Sequence, residues 1–286
     1  MSLPVFWRES LPEAGGDRVL LDGSEAHHAA VVRRVAVGER VRVTDGRGTY
    51  VEGPAVVVGR QTVEVAVERR GADTAPSLRL TVVQAVPKGD RARPAVEALV
   101  EVGVDRVVPW AAERSQVRMG GERGERLAAR WRAWAFEASK QARRSWFCEV
   151  GDVASTGGVA GLLGAAEVGL VLHVGAVDPL GAVPLPRTGT VLLVVGPEGG
   201  MGPDELAALG VRAPTGAMRL SPPGFASRIA PVDDTGDSAG GGPGDGSVDG
   251  PGDGSVRLVR LGDTVLRTST AGAVAAGVVL AATRWR

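Results

Sequence analysis

The spacing of apolar and polar positions divides the chain into two rhythms. Over residues 1–72 the period is two. In ERVRVTDGRGTYVEG, Val41 and Val43 are expected to face inward and Arg40, Arg42 and Thr44 outward. Asp45-Gly46 then supplies a hairpin turn. GRQTVEVAVERR repeats the alternation through Val63, Val65 and Val67, and Phe6-Trp7 and Arg18–Leu21 read as further short strands. Ser24 is expected to N-cap a helix running to about Arg34, with Val31 and Val32 on its apolar face. Short strands at this spacing predict a small β-barrel, an architecture often used to hold RNA.

Gly71–Ser77, GADTAPS, reads as a linker, and beyond it strands alternate with helices, the pattern of an α/β fold. Leu78–Val86 is a buried strand, Pro94–Val102 a helix stopped by Gly103, and Val104–Trp110 the next strand. Glu122–Trp146 has helical spacing. Leu127, Trp131, Trp134, Ala135, Ala138 and Ala142 form one face, and Arg126, Arg130, Glu137, Lys140, Gln141 and Arg144 the other. Val168–Val174 and Val191–Val195 are two more strands buried on both sides. Pro222–Val256 then interrupts the rhythm with six aspartates and the heptapeptide GPGDGSV twice, at 242–248 and 250–256. It reads as a flexible acidic insert, without the ligand spacing of a calcium loop. Order returns at Arg257–Leu261. The final helix, from about Thr270, is apolar almost all round and is expected to be buried, with Thr268, Ser269 and Thr270 available to cap it.

Composition narrows the function classes. The longest apolar runs are too short for a membrane span and the N-terminus lacks a signal-peptide pattern, so a soluble, cytoplasmic protein is expected. Cys148 is the only cysteine, which excludes an internal disulfide and a multi-cysteine zinc site. His27 and His28 read as surface or capping residues rather than metal ligands, and no metal is expected. Net charge is +0, so overall charge gives no nucleic-acid signal. The cations near Lys140–Arg144 are either a solvated helix face or a stripe that contacts phosphates.

VLLVVGPEGG is the stretch around which these parts are arranged. A buried strand, Val191–Val195, breaks into Gly196-Pro197-Glu198-Gly199-Gly200 before a short helix opening at Pro203-Asp204-Glu205. Such a turn at the carboxyl end of a parallel strand is either a tight connection or a ligand site. It matches neither the dinucleotide fingerprint nor a P-loop. His173 ends a neighbouring strand at the same edge.

LLVVGPEGG, followed after the insert by LGDTVLRTSTAGA, resembles the RsmE family of 16S ribosomal RNA uridine-N3 methyltransferases, which belong to the knotted SPOUT class. HHAAVVRRVAVGERVRVTDGRG, AVPKGDR, EVGVDRVVPWAAERS and EASKQARRSW support the likeness, which spans nearly the whole chain outside the insert. The resemblance implies a PUA-like RNA-binding barrel over 1–72. It also implies a SPOUT α/β domain over 77–286 with a deep trefoil knot, and a homodimer acting on 16S rRNA of the small ribosomal subunit. S-adenosyl-L-methionine is then expected among three loops carrying Leu172 and His173; Gly196, Glu198, Gly199 and Gly200; and Leu261, Gly262, Val265 and Leu266. Arg267 is the candidate catalytic residue, stabilising charge on the uracil oxygens as N3 is deprotonated. Its alternative is a structural pairing with Glu198. Arg33, Arg34, Lys140, Gln141, Arg143 and Arg144 are the candidate RNA contacts. Ser269 stands where many relatives carry glutamate. A knotted methyltransferase for another RNA and a non-catalytic RNA-binding protein are the alternative functions.

Overall fold

A computed structural model describes residues 3–12, 15–115, 121–211 and 256–285. The acidic stretch expected at 222–256 lies, apart from Val256, outside the described residues.

The N-terminal unit is one sheet of six short strands. In chain order these are β1 (Val5–Trp7), β2 (Arg18–Asp22), β3 (Arg40–Thr44), β4 (Thr49–Val58), β5 (Thr62–Ala66) and β6 (Arg69–Ala72), with α1 (Gly23–His27) after β2. The order is β1-β3-β4-β5-β2, and β6 also pairs with β4. Period-two alternation puts Val19, Leu21, Val41, Val43, Val51, Val63 and Val65 into a core with Phe6, Ala26 and Ala29. Gly53 permits a tight crossing, because a Cβ there would lie 1.7 Å from the Ala66 carbonyl oxygen.

Three expectations for this unit are corrected. Ser24 is not the N-cap: the helix starts at Gly23 after Asp22, with no side-chain cap bond. The helix also widens into a π-turn over His28–Val32, shifting its phase. Ala26 and Ala29 therefore reach the core, while Val31 and Val32 are 41% and 66% exposed. Thr44 is fully buried rather than outward, its hydroxyl donating to the Thr49 carbonyl at 2.8 Å. The second unit covers that side of the hairpin: Gly48 donates to Ser145 O at 2.9 Å, and Phe147 donates to Gly46 O at 2.9 Å.

Among the described residues the C-terminal unit is a second six-stranded sheet. Its strands are β7 (Leu78–Ala85), β8 (Arg106–Trp110), β9 (Glu149–Val150), β10 (Val168–Leu172), β11 (Gly189–Val195) and β12 (Val256–Val259). Every pairing in the order β12-β10-β11-β7-β8-β9 is parallel. Helices cover both faces, as parallel sheets require. Leu80, Val82, Leu170, Val191, Leu193 and Val195 pack under α2 (Ala92–Val102), α3 (Gly121–Gln141) and α6 (Thr268–Thr283). Val83, Val108, Val171, Leu192 and Val194 face α4 (Thr156–Gly164) and α5 (Pro203–Ala208).

Helix ends follow local backbone chemistry. α2 stops at Gly103, which takes φ +109. α3 stops at Gln141 instead of continuing to Trp146, because Arg143 adopts φ 57 and Arg144 N–H turns back to Ser139 O at 3.0 Å. α6 begins at Thr268 with Arg267 as N-cap and no side-chain cap bond, so the threonines and serine do not cap it. Its burial is incomplete, since Val274 is 43% exposed. No helix among the described residues is long and apolar enough to cross a membrane.

Asp105 closes the C-terminal core. It is 5% exposed, accepts the Leu80 N–H at 2.7 Å, and is bridged by Arg284 just past α6. Arg284 also donates to Leu78 O at 3.0 Å and Gly103 O at 3.3 Å. One carboxylate therefore ties β7, the start of β8 and the chain's last helix. Nearby Cys148 is buried, which pushes its thiol pKa up to about 12 and keeps it unreactive. Asp105→Ala should lower the unfolding free energy by about 3–5 kcal/mol, the cost of stranding one side of a buried ion pair. Urea denaturation checks this, and Asp105→Ala/Arg284→Ala should lose less than the two single changes summed.

Candidate active site at the carboxyl edge of the sheet

Strands β12, β10 and β11 are neighbours and parallel, so their carboxyl ends open side by side at one edge. The segments leaving them hold the three expected loops, and backbone bonds knit them together. His173 N–H donates to Val259 O at 2.9 Å, Arg260 N–H to Asp178 O at 2.9 Å, and Leu180 N–H to Arg260 O at 2.8 Å. The Thr268 hydroxyl donates to Gly196 O at 3.0 Å, joining the start of α6 to the Gly-rich turn. Gln84, fully buried in β7, supports this point by donating from Nε2 to Thr268 O at 3.2 Å.

The Gly-rich turn itself uses one special backbone angle. Gly200 takes φ +68 and donates to Pro197 O at 2.9 Å, closing the turn. Gly196 sits where a Cβ would approach Met201 Cε at 3.1 Å, and the Gly199 carbonyl accepts from Arg114 Nη1 at 3.1 Å. Glu198 is exposed, and its Oε1 accepts the Lys88 N–H at 3.4 Å. At Gly262 a Cβ would meet nothing within 4 Å, so the third loop faces open space. Leu172, Leu261 and Leu266 are half-buried, and Val265 is 70% exposed.

His173 is half-buried at the head of the first loop, and its Nδ1 accepts the Gly175 N–H at 3.0 Å. That bond requires Nδ1 to be unprotonated, and burial lowers the imidazole pKa below 6.5. Arg267 is exposed at the foot of α6. Among the described residues it makes no ion pair, with Glu198 or any other carboxylate. Its guanidinium is thus available at the loop edge.

The expected RNA contacts separate into two groups. Arg33, Gln141 and Arg143 line a cleft of about 500 Å3 between the two units, and Arg34 is exposed nearby with φ 56. Lys140 and Arg144 are corrected: neither side chain is a surface cation. The Lys140 side chain is 3% exposed, with Nζ 2.5 Å from Glu25 Oε1, 3.0 Å from Glu137 Oε1 and 4.8 Å above the Phe136 ring. Glu25 also accepts the Trp7 N–H at 3.0 Å, so the pair latches the N-terminal unit onto α3. Arg144 donates to Val100 O at 2.9 Å, Val104 O at 2.7 Å and Trp146 O at 2.9 Å. Chain reversal after α3 points it inward to carbonyls left open where α2 ends. Burial lowers its pKa, yet an arginine remains charged. Among the described residues no three metal-ligating side chains cluster.

Comparison with known proteins follows the same division. A profile described as an RNA methyltransferase domain matches residues 74–222, and one described as an RNA methyltransferase PUA domain matches 21–65. The chain is 35% identical to ribosomal RNA small subunit methyltransferase E of Mycobacterium bovis, over 98% of this chain and 93% of that protein. The chain belongs to the ribosomal RNA small subunit methyltransferase E family. A Bacillus subtilis member is 24% identical, over 66% of this chain and 77% of its own length. The fold resembles the Neisseria gonorrhoeae family member solved bound to S-adenosyl methionine. That match has TM-score 0.72 and 21% identity, over 99% of this chain and 98% of the other. A Legionella pneumophila methyltransferase solved with the same cofactor gives TM-score 0.74 and 20% identity, with 99% of each chain covered.

Gln84 and Arg114 support this loop edge and were not singled out from the sequence; Thr268 was, but as a helix cap, and its hydroxyl instead bonds Gly196 O. Only contacts between distant strands reveal them. The Lys140 latch is testable without activity. Lys140→Met should cost about 3 kcal/mol by leaving the half-buried Glu25 without its cation. Denaturation should show partial recovery in Lys140→Met/Glu25→Gln, and RNA binding should keep the wild-type salt slope, because Lys140 meets no phosphate.

Proposed function

We propose that this chain transfers the methyl group of S-adenosyl-L-methionine to N3 of a uridine in the 16S RNA of the small ribosomal subunit. The observation that carries this reading is the knitted set of three loops at the ends of β12, β10 and β11, in a chain of the methyltransferase E family. The loop edge suits the cofactor. Glycine at 196, 199, 200 and 262 keeps side chains out of the loops, and the space in front of Gly262 is open. Backbone groups of Leu172, His173, Gly196, Gly199, Leu261 and Leu266 would hold adenine and ribose, with Glu198 and Val265 at the rim. The bound cofactor supplies an activated sulfonium methyl.

This chain's residues then do the rest. The loops exclude water and orient the uracil. Arg267, exposed at the foot of α6, stabilises negative charge on O2 or O4 as the N3 proton leaves. Arg33, Arg34, Gln141 and Arg143 hold RNA around the cleft between the units. The reading includes a PUA-like barrel over 1–72, a SPOUT domain over 77–286 whose α6 completes a trefoil knot, a homodimer, and a cytoplasmic setting beside the ribosome.

Incubation with labelled cofactor and small-subunit RNA, followed by nucleoside mapping, should yield N3-methyluridine; label in another nucleoside would overturn the substrate assignment. Arg267→Ala should reduce transfer by about 10²–10³ while leaving cofactor affinity within severalfold.

The cofactor loops respond to shape and pH. Gly200→Val should abolish cofactor binding, because a β-branched residue resists φ +68. Gly262→Val should keep wild-type Tm yet weaken binding by filling open space. The His173–Gly175 bond is fully present above pH 6.5 and is lost as pH falls through the lower folded-state pKa. Calorimetry should therefore show cofactor affinity flat above pH 6.5 and falling on acidification, with that fall absent in His173→Gln.

A further inference from the structure

The carboxyl end of β7 lies between those of β11 and β8, so the segment from Val86 to Asp90 leaves the sheet beside the Gly-rich turn. A groove of about 600 Å3 opens there, between this segment and the first half of α3. Its walls carry Lys88, Arg93, Arg123, Arg126, Arg130 and the indole of Trp134, against, among the described residues, a single carboxylate, Asp90. In a chain with equal numbers of acidic and basic residues, five cations facing one acid is a strong local imbalance.

Several of these charges are uncommitted. Arg93 pairs with Glu97 at 2.7 Å and Arg126 with Glu122 at 2.8 Å, both on exposed helix faces. Lys88, Arg123 and Arg130 have no ion pair among the described residues. Helical spacing puts Arg123, Arg126, Arg130 and Trp134 on one stripe of α3. From Arg123 to Arg130 the stripe runs about 10 Å, roughly three stacked nucleotides at ~3.4 Å each. Arginine is suited to phosphate oxygens, and a half-buried indole offers a face on which a base stacks.

We infer that this groove is the path of the substrate strand, holding single-stranded RNA by its phosphates along α3 and delivering a base to the adjacent loop edge. The inference rests on the proposed methyltransferase function and gives it a location for the strand. It also relocates the cationic stripe from residues 140–144, where Lys140 and Arg144 are consumed internally, to the first half of α3. An acidic peptide would satisfy the cations but has no use for a stacking face beside the methyl-transfer site.

The test is fluorescence anisotropy of a short labelled oligouridylate between about 50 and 200 mM salt. Lys88→Gln/Arg123→Gln/Arg130→Gln should weaken binding at least about tenfold at low salt. It should also flatten the log–log salt slope by about 2, at ~0.7 per lost phosphate contact. Arg18→Gln/Arg79→Gln/Arg132→Gln removes the same charge from paired, exposed positions elsewhere and should keep the wild-type slope. Unchanged Tm and cofactor affinity confirm that the groove variant is folded; should it not fold, Arg123→Gln alone should lower the slope by about 0.7.

A slope that falls in neither triple variant, or equally in both, overturns the inference. Loss of dimerisation with an unchanged slope also overturns it, assigning the groove to a second copy of the chain. Methylation by the wild type is measured in parallel. Transfer with an insensitive slope defeats the groove alone, whereas a sensitive slope without transfer defeats the methyltransferase reading and leaves the groove as an RNA site.

Discussion

The close passage of α6 over the parallel sheet is the constraint on which the loop edge depends. A Cβ at Gly272 would lie 2.6 Å from Gln84 Oε1 and 3.5 Å from Val195, so glycine there lets the helix lie low over β7 and β11 without displacing the Gln84 amide. At its start Thr268 reaches Gly196, and Gln84 holds the Thr268 carbonyl. Past its far end Arg284 is anchored on Asp105 and the carbonyls of Leu78 and Gly103. With both ends fixed, the segment 260–267 is held against the loops of β10 and β11. Gln84 Oε1 is buried without a partner among the described residues, a cost of about 1–3 kcal/mol tolerated where the helix crosses.

Charge is distributed by burial rather than by count. The chain's net charge is zero and its cations are nearly all arginine, yet they serve opposite purposes. Arg144 and Arg284 satisfy internal carbonyls and Asp105, and Lys140 latches the two units through Glu25. Burying them is offset only because every one finds oxygen partners. Arg123, Arg130 and Lys88 remain toward solvent and concentrate a positive field in one groove, where low-dielectric walls strengthen it.

Period and turn chemistry by themselves determined most of the elements. Val41, Val43, Val63 and Val65 alternate into one core because a strand has no other face to offer. Apolar runs such as Val191–Val195 had to be buried on both sides, which makes the sheet parallel and covered by helices. The residues of GPEGG and LGDTVLR marked the loop edge, and with the N-terminal motifs they marked the family.

Tertiary structure alone decided which polar residues are surface. Thr44 and Lys140 sit at polar positions of their own elements and Arg144 just past the end of α3, but each is covered by the other unit or by the end of α2. Periodicity reports the phase of one element and is silent about what lies against its polar side. Helix phase failed for a related reason at Val31 and Val32, because a π-turn changes the residue-to-angle relation that the pattern assumes. The groove beside Lys88 is likewise absent from any single stretch. Its two walls, AVPKGDR and the first turns of α3, are brought together only by the order in which β7, β11 and β8 pair, and hydrogen bonding between strands sets that order.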